Sequence, residues 1–529
     1  MKMDKNTSQK GGNKSGNTLL ITMVQICFFI YYSILMYNII IIDKTVEYSG
    51  KRNMLVNNSI IVIIVIIGFV LLSFLLAKYR KEIAIFLEKY YKHILICSGI
   101  IVFALQQVFI NKSYYIQGWD AGVLTTAARS IAYSNSIEGD WYIMYYSVYP
   151  NNFTLTYIFS VLIKIGNKLQ LSDNTVLLYY ISGWCTMYSG ILAVMAIKKW
   201  TKSSCASMLA WILLIPMVVL SPWVLVPYSD TYVMPFIITC FFSFIKLKEK
   251  KTSYLWWIIM IGSAMFGYLI KPTAIIVLIA IMIVLIWNFI CNKKKQWKHC
   301  IIKGVIVCII AGIMLQVPNF ISDSINFTPI EGKEFTMTHF AMMGLAESTG
   351  GGYNLDDVNY SKSFDTKKER QEGNIEVIKQ RLKDYGIKGY TQFLLKKQLK
   401  IFNDGTFAWG GEGGFFSNVP KEGEERYSEI THNTFFDLSK ESSLLWQTSC
   451  QCLWISILIF MSGIFLYRKK FDDVGAVALL AILGISVFLL LFEARARYLF
   501  CYIPIFIIVG AVGLRNIINT VLSFLYKNN

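Results

Sequence analysis

Six charged residues stand at the edges of long apolar runs: Asp120 in QGWDAG, Asp230 in VPYSD, Lys271 in YLIKPT, and Glu493, Arg495 and Arg497 in LFEARARYLF. An ionisable group is costly to keep near hydrocarbon, so several that converge on one face suggest a site. Carboxylates beside Lys and Arg could hold an anionic headgroup and deprotonate a hydroxyl next to it. Each residue also has a plainer reading. Lys271 could be an interfacial anchor with a snorkelling stem, although the following Pro272 leaves almost no loop. Asp120 could cap the helix AGVLTTAARSIAY, and Asp230 could cap the apolar run after it. Aromatics near acids at Trp409, Glu412, Phe415 and Asp404 could stack a ring-shaped ligand or simply belong to a small packed domain. His339 in MTHFAMM would hang over a cavity at the end of the ninth run; otherwise it and His432 are structural histidines.

The elements that must position these residues are membrane spans. Of 529 residues, 55% are hydrophobic and 16% charged, and the mean hydropathy is +0.49. A soluble domain of this size cannot hide that much apolar surface. Apolar runs of about 17–25 residues read as spans. They fall near 19–42, 55–77, 93–111, 174–197, 204–220, 231–245, 254–270, 273–291, 300–317, 446–467, 474–491 and 498–521. The expectation is an all-α polytopic membrane protein of about twelve transmembrane helices.

The net charge of +18 would suit a polyanion partner, but its distribution is that of a membrane topology. With the N-terminus cytoplasmic, the loops on that side carry 24 Lys and Arg against 10 on the other side. The segment 318–445 has 15 basic against 19 acidic residues and is placed outside. This is the positive-inside bias, and no nucleic acid is expected as a partner. The count also keeps 151–166 from crossing, since a crossing would turn Lys293, Lys294 and Lys295 outward. That stretch is expected to lie on the outer leaflet as an amphipathic or re-entrant helix. The first run is too long for a cleaved signal peptide and reads as a signal anchor. Cys450 and Cys452 have the spacing of an i, i+2 helical pair, which argues against a disulfide.

The chain then divides into 1–90, a cytoplasmic N-terminus with an accessory hairpin; 91–317, a core with a first outer loop at 112–173; 318–445, a small outer cap of α/β or mixed type; and 446–529, the last spans. Within the cap, residues 374–402 show helical spacing with a break at Gly386 to Gly389. No repeat of fixed period appears, which argues against transporters built from internal repeats.

The order of these motifs resembles the GT-C superfamily of integral membrane glycosyltransferases, whose members include protein mannosyltransferases, the aminoarabinose transferases of lipid A, and arabinosyl- and oligosaccharyltransferases. GWDAG with Asp120 resembles the acidic start of their first large outer loop. DWYIMYYSVYPNNFTLTYIF resembles the rest of that loop in Gram-positive members. PYSD resembles a Tyr-(Ser/Thr)-acid at an outer span end, and RARYLFCYIPIF resembles their final span. The likeness covers roughly 90–529. It departs in having Asp120-Ala121 where many mannosyltransferases have Asp-Glu, and in lacking the WWDYG-like signature of the Asn-glycosylating enzymes.

The resemblance implies a bacterial, GT-C-like enzyme that moves a sugar from a polyprenyl-phosphate carrier to a cell-envelope glycan or glycopolymer on the outer face. Inversion and no metal or other cofactor are implied with it. Asp120 would be the catalytic base. Lys271, Arg495 and Arg497 would bind the donor phosphate, and Asp230, Tyr228, Trp119, His339 and Tyr498 the substrate. Partners would be the polyprenyl-phosphate-linked sugar, the acceptor glycan and the lipid bilayer. A lipid-linked sugar flippase or other transporter, or a non-catalytic lipid-binding envelope protein, remains the alternative.

Overall fold

The computed structural model describes residues 12–42, 54–250, 253–291, 297–466 and 471–525. Part of the sidedness reading falls outside the described residues, including 1–11, Lys44 to Arg52 and Lys293 to Lys295. Helices follow in the order α1 (Gly12–Tyr37), α2 (Asn58–Lys78), α3 (Arg80–Ser113), α4 (Asp120–Ser134), α5 (Asp140–Val148), α6 (Phe153–Lys168) and α7 (Val176–Thr201). Next come α8 (Ser204–Leu214), α9 (Ser229–Tyr232), α10 (Met234–Glu249), α11 (Tyr254–Ile270), α12 (Ile275–Cys291) and α13 (Trp297–Ser324). The chain ends with α14 (Met337–Met343), α15 (Leu355–Lys362), α16 (Lys367–Phe402), α17 (Glu429–Thr431), α18 (Glu441–Met461), α19 (Asp473–Leu491) and α20 (Ile503–Leu525).

Ten helical segments among the described residues are long and apolar enough to cross a membrane, and Asn58–Leu71 and Tyr254–Ile270 are shorter apolar helices. Together they fall on the twelve expected runs, and the protein is an all-α polytopic membrane protein. α6 is not among them. At 16 residues it is ~24 Å long, short of a bilayer core of ~30 Å, and it packs along α4.

Three expectations are corrected. The basic stretch 78–92 is not a loop: α3 starts at Arg80 and carries it as helix. The cap is not α/β or mixed, because its described residues form helices and loops with no strand. It also starts later than 318, because α13 continues through Pro318 to Ser324. Amide side chains tie the first two helices and the turn between them to the rest. Asn38 donates to the Leu395 carbonyl at 2.7 Å, Asn58 to Asn403 at 2.7 Å, and Gln451 to Asn58 at 3.1 Å, the last of these fully buried. Such amide links gain from the absence of competing water.

α16 opens with a capping box between Thr366 and Glu369 and breaks at Gly386, where φ is 55°, a value that favours glycine. Its first half holds the cap together. Buried Arg370 donates to the carbonyls of Ser361 (2.9 Å), Gly332 (2.8 Å) and Glu334 (3.1 Å), and Arg381 pairs with both oxygens of Asp357. Its second half descends onto the bundle. There the Lys397 ammonium donates to the carbonyls of Gly344 (2.7 Å), Leu490 (3.0 Å) and Phe492 (2.6 Å), which closes the C-terminal end of α19. All three ammonium hydrogens are used. Lys397→Met leaves these buried carbonyls unmet, and a loss of about 3 kcal/mol is expected, read as a lower melting temperature in detergent or nanodiscs.

The cap and the α4–α6 segment share one end of the bundle: Phe335 N–H donates to the Val148 carbonyl at 3.0 Å, and Gly118 N–H to that of Gly414 at 3.1 Å. Ion pairs at the other end include Lys198–Glu88 at 2.7 Å and Lys199–Glu249 at 3.2 Å. In the last spans two glycines let backbones touch. A Cβ built on Gly513 would lie 2.0 Å from the Phe460 carbonyl oxygen, and one on Gly463 would lie 2.1 Å from that of Gly513. Small residues permit this packing between membrane helices.

Candidate functional site

Asp230, Lys271 and Arg497 come from three places where a helix is interrupted. Tyr228 is extended (φ −153°), and Asp230 sits in the single turn of α9 before the chain restarts at Met234-Pro235. Lys271 ends α11 in an extended conformation (φ −151°, ψ 115°), as a residue before proline prefers. Arg497 is the second residue of a 3-10 segment, Ala496–Tyr502, that leads into α20. Irregular backbone at a bundle end is tolerated where protein surrounds it, and these breaks aim three charged side chains at one point.

There they form a buried ion cluster. One oxygen of Asp230 accepts from the Lys271 ammonium, and the other accepts from Arg497 at 3.0 Å. Arg497 also donates from Nε to Glu412 at 2.8 Å, and the second Glu412 oxygen pairs with Arg495 at 3.1 Å. The Arg497 guanidinium lies 4.6 Å from the Trp119 ring centroid, 4.8 Å from that of Tyr498 and 5.2 Å from that of Tyr228. Lys271 lies 4.8 Å from the Tyr498 ring, and the Tyr498 hydroxyl donates to Glu493 at 3.0 Å. Aromatic walls of this kind attract cations and keep water out.

Asp120 is the first residue of α4, beside this cluster. Trp119 holds the N-cap position, and no side chain caps that helix. Burial pushes the Asp120 carboxyl above the usual range; Arg497 works against this, Glu412 adds to it, and the hydroxyls of Tyr145 and Tyr228 turn toward the carboxylate. Glu493 is likewise raised by burial, against Arg497. Two carboxylates with raised values therefore share one basic cluster, the environment in which acid–base residues are found.

Of the residues singled out in the sequence, Asp120, Asp230, Lys271, Arg495, Arg497, Trp119, Tyr228 and Tyr498 come together. His339 does not. It is fully buried within the cap, its Nδ1 within 2.7 Å of the Ser361 hydroxyl and its ring 3.8 Å from that of Phe335. Burial pushes it down to about 3, so it is neutral. Trp409 and Phe415 are buried against Trp223, as packing residues. Asp404 accepts from the backbone N–H groups of Thr406 and Ala408 and shapes its own loop. Asp140 is exposed at the start of α5. Cys450 and Cys452 are both free.

Sequence reasoning missed Tyr145, and it singled out Glu412 only among the aromatics and acids of the cap, not as a member of the charge cluster. Glu412 had a signal: an acid between two glycine pairs in WGGEGG, a composition with little use on a plain surface. Tyr145 is one of several tyrosines in its helix and carries none. Among the described residues, no three His, Cys, Asp or Glu converge as a metal-ligand set.

The family model described as "conserved hypothetical integral membrane protein" matches residues 12–517. No curated protein matches. Among solved structures, the Archaeoglobus fulgidus oligosaccharyltransferase in the apo form is similar over 82% of this chain and 52% of that one, with a TM-score of 0.41 at 12% identity. The archaeal oligosaccharyltransferase AglB from Archaeoglobus fulgidus, in complex with an inhibitory peptide and a dolichol-phosphate, gives 0.39 at 11% identity with the same coverage. This chain therefore spans about half the length of those proteins.

Proposed function

From the premise that the chain belongs to this family of conserved hypothetical integral membrane proteins, we propose that it is a GT-C-type glycosyltransferase that takes a sugar from a polyprenyl-phosphate carrier and transfers it to a cell-envelope glycan or glycopolymer. The reading places the site on the outer face and both termini inside. One juxtaposition carries it: a carboxylate with a raised proton affinity, Asp120, beside buried Lys271 and Arg497 and half-buried Arg495.

The chemistry follows from that pair. Asp120 accepts the proton of the acceptor hydroxyl. The freed oxygen electron pair forms a bond to the anomeric carbon, and the bond from that carbon to the phosphate oxygen breaks with its electrons leaving on the lipid phosphate. A single displacement inverts the configuration. Lys271, Arg495 and Arg497 offset the charge that develops on the leaving phosphate, where such help is worth most. Asp230 fixes the two innermost cations, and Trp119, Tyr228 and Tyr498 wall them from water. The balance requires no redox partner.

The test is a transfer assay in nanodiscs with a panel of radiolabelled polyprenyl-phosphate sugars. Release of polyprenyl phosphate with label in a saccharide acceptor, or in water as a slow substitute, is expected for at least one donor. A protein that binds such donors and only moves them between leaflets would be a transporter.

A further inference from the structure

The cations of the site are already occupied. Both oxygens of Glu412 are engaged, one by Arg497 and one by Arg495. Two non-bridging oxygens of a phosphate would make the same pair of contacts. Building on the reading above, we propose that Glu412 holds the place of the donor phosphate, and that an arriving donor expels it and shifts the backbone that carries Asp120.

Charge supports the exchange. A polyprenyl-phosphate sugar is a phosphodiester with one negative charge, and it would replace one carboxylate. The cluster thus keeps its balance when the donor enters. Bond cleavage then adds charge to the phosphate, the moment at which a returning Glu412 would compete with it and favour release.

Position decides which of the two carboxylates yields. Asp230 is 1% exposed and belongs to a helical turn between spans. Glu412 sits between Gly410-Gly411 and Gly413-Gly414, and φ is +76° at Gly410 and +69° at Gly414. Glycines on both sides let the segment change course at low cost. The buried rings of Trp409 and Phe415 anchor it just beyond these glycines, so the motion is a local swing and not a loss of the loop.

The swing reaches Asp120 through the backbone contact nearest to Glu412. Gly118 N–H donates to the Gly414 carbonyl at 3.1 Å, two residues before Asp120. The approach is close: a Cβ on Gly118 would lie 2.6 Å from the Gly414 oxygen. Donor arrival therefore loosens or moves the start of α4, where the acceptor's proton is to be taken. Glu412 is in this sense a positioning residue that couples an occupied donor site to readiness of the base.

Hydrogen exchange of the whole protein in nanodiscs tests this, with a long-chain polyprenyl monophosphate as probe and the matching polyprenol as control. Wild type with the phosphate, and not with the polyprenol, is expected to exchange faster at 410–414 and at Gly118. Glu412→Gln should bind the phosphate about tenfold more tightly, as when only about a tenth of the wild-type molecules are open to it, and should show the fast exchange without any probe. Glu412→Asp, which keeps the charge but shortens the arm, should fall between. Binding by wild type with unchanged exchange, or weaker binding by Glu412→Gln, overturns the displacement while leaving the donor class intact. No binding by wild type or by Glu412→Gln overturns both this inference and the donor class.

Discussion

Asp120→Asn is expected to fold and to bind donor, yet to turn over about 10²- to 10⁴-fold more slowly than wild type, the usual loss when a general base is removed. A capping role would predict near-normal turnover, because Asn caps as well as Asp. Trp119 occupies the cap position and α4 has no side-chain cap, so the substitution removes no cap. It does remove a carboxylate whose ionisation burial opposes. The sign for stability follows. A carboxyl raised above its unfolded value binds its proton more tightly in the native state, so its contribution is fully present at low pH and is lost as pH rises through the raised value. Asp120→Asn should lack that decline and melt no lower than wild type at neutral pH. The base acts only when ionised, so the acidic limb of the wild-type rate should lie above the ordinary carboxylate range. Wild-type turnover in the variant would send the search for a base to Glu493.

Asp230→Asn should cost about 3–5 kcal/mol, the price of breaking a buried ion pair from one side. Lys271 and Arg497 both lean on that carboxylate, and without it two cations face each other behind Tyr498. The double substitution Asp230→Asn with Lys271→Met should recover a good part of the loss, since a neutral pair of similar volume is tolerated where an unpaired charge is not. Melting temperatures around this cycle measure the coupling. Additive effects of the two substitutions would show that the pair does not stabilise the native state.

All twelve apolar runs were legible in the sequence as helices, ten of them long enough to span among the described residues, because hydrocarbon thickness imposes a length and a composition that no other constraint imitates. The ends were less so. Lys78 to Lys92 looks like a loop to any hydropathy count, but Lys, Arg and Glu are good helix formers, and a helix can leave the membrane without ending. The cap was expected to be α/β or mixed, although no run in it alternates with a period of two. Within the site, Asp230, Lys271 and Arg497 could be found because charge is rare beside apolar runs. Glu412 lies 85 residues from Arg497, and no local period encodes that meeting. His339 shows the opposite failure. A histidine next to a span looked poised for chemistry, and tertiary packing sealed it between Phe335 and Ser361.

The glycine contact between the last spans sets a lever. Gly513 touches Phe460 at one level of the rod α20, and Arg497 stands 16 residues before it, in the 3-10 segment that runs into the first turn of that rod, so the lever arm from contact to guanidinium is at most ~27 Å. A methyl group at 513 would pry the rod from its neighbour, and a tilt of only a few degrees about that fulcrum carries the guanidinium ~1 Å off its carboxylates, enough to cost a catalytic arrangement ~10²-fold. The alignment of the charge cluster is thus set partly by a bearing surface buried far from it, where nothing chemical happens and only the lack of a side chain matters.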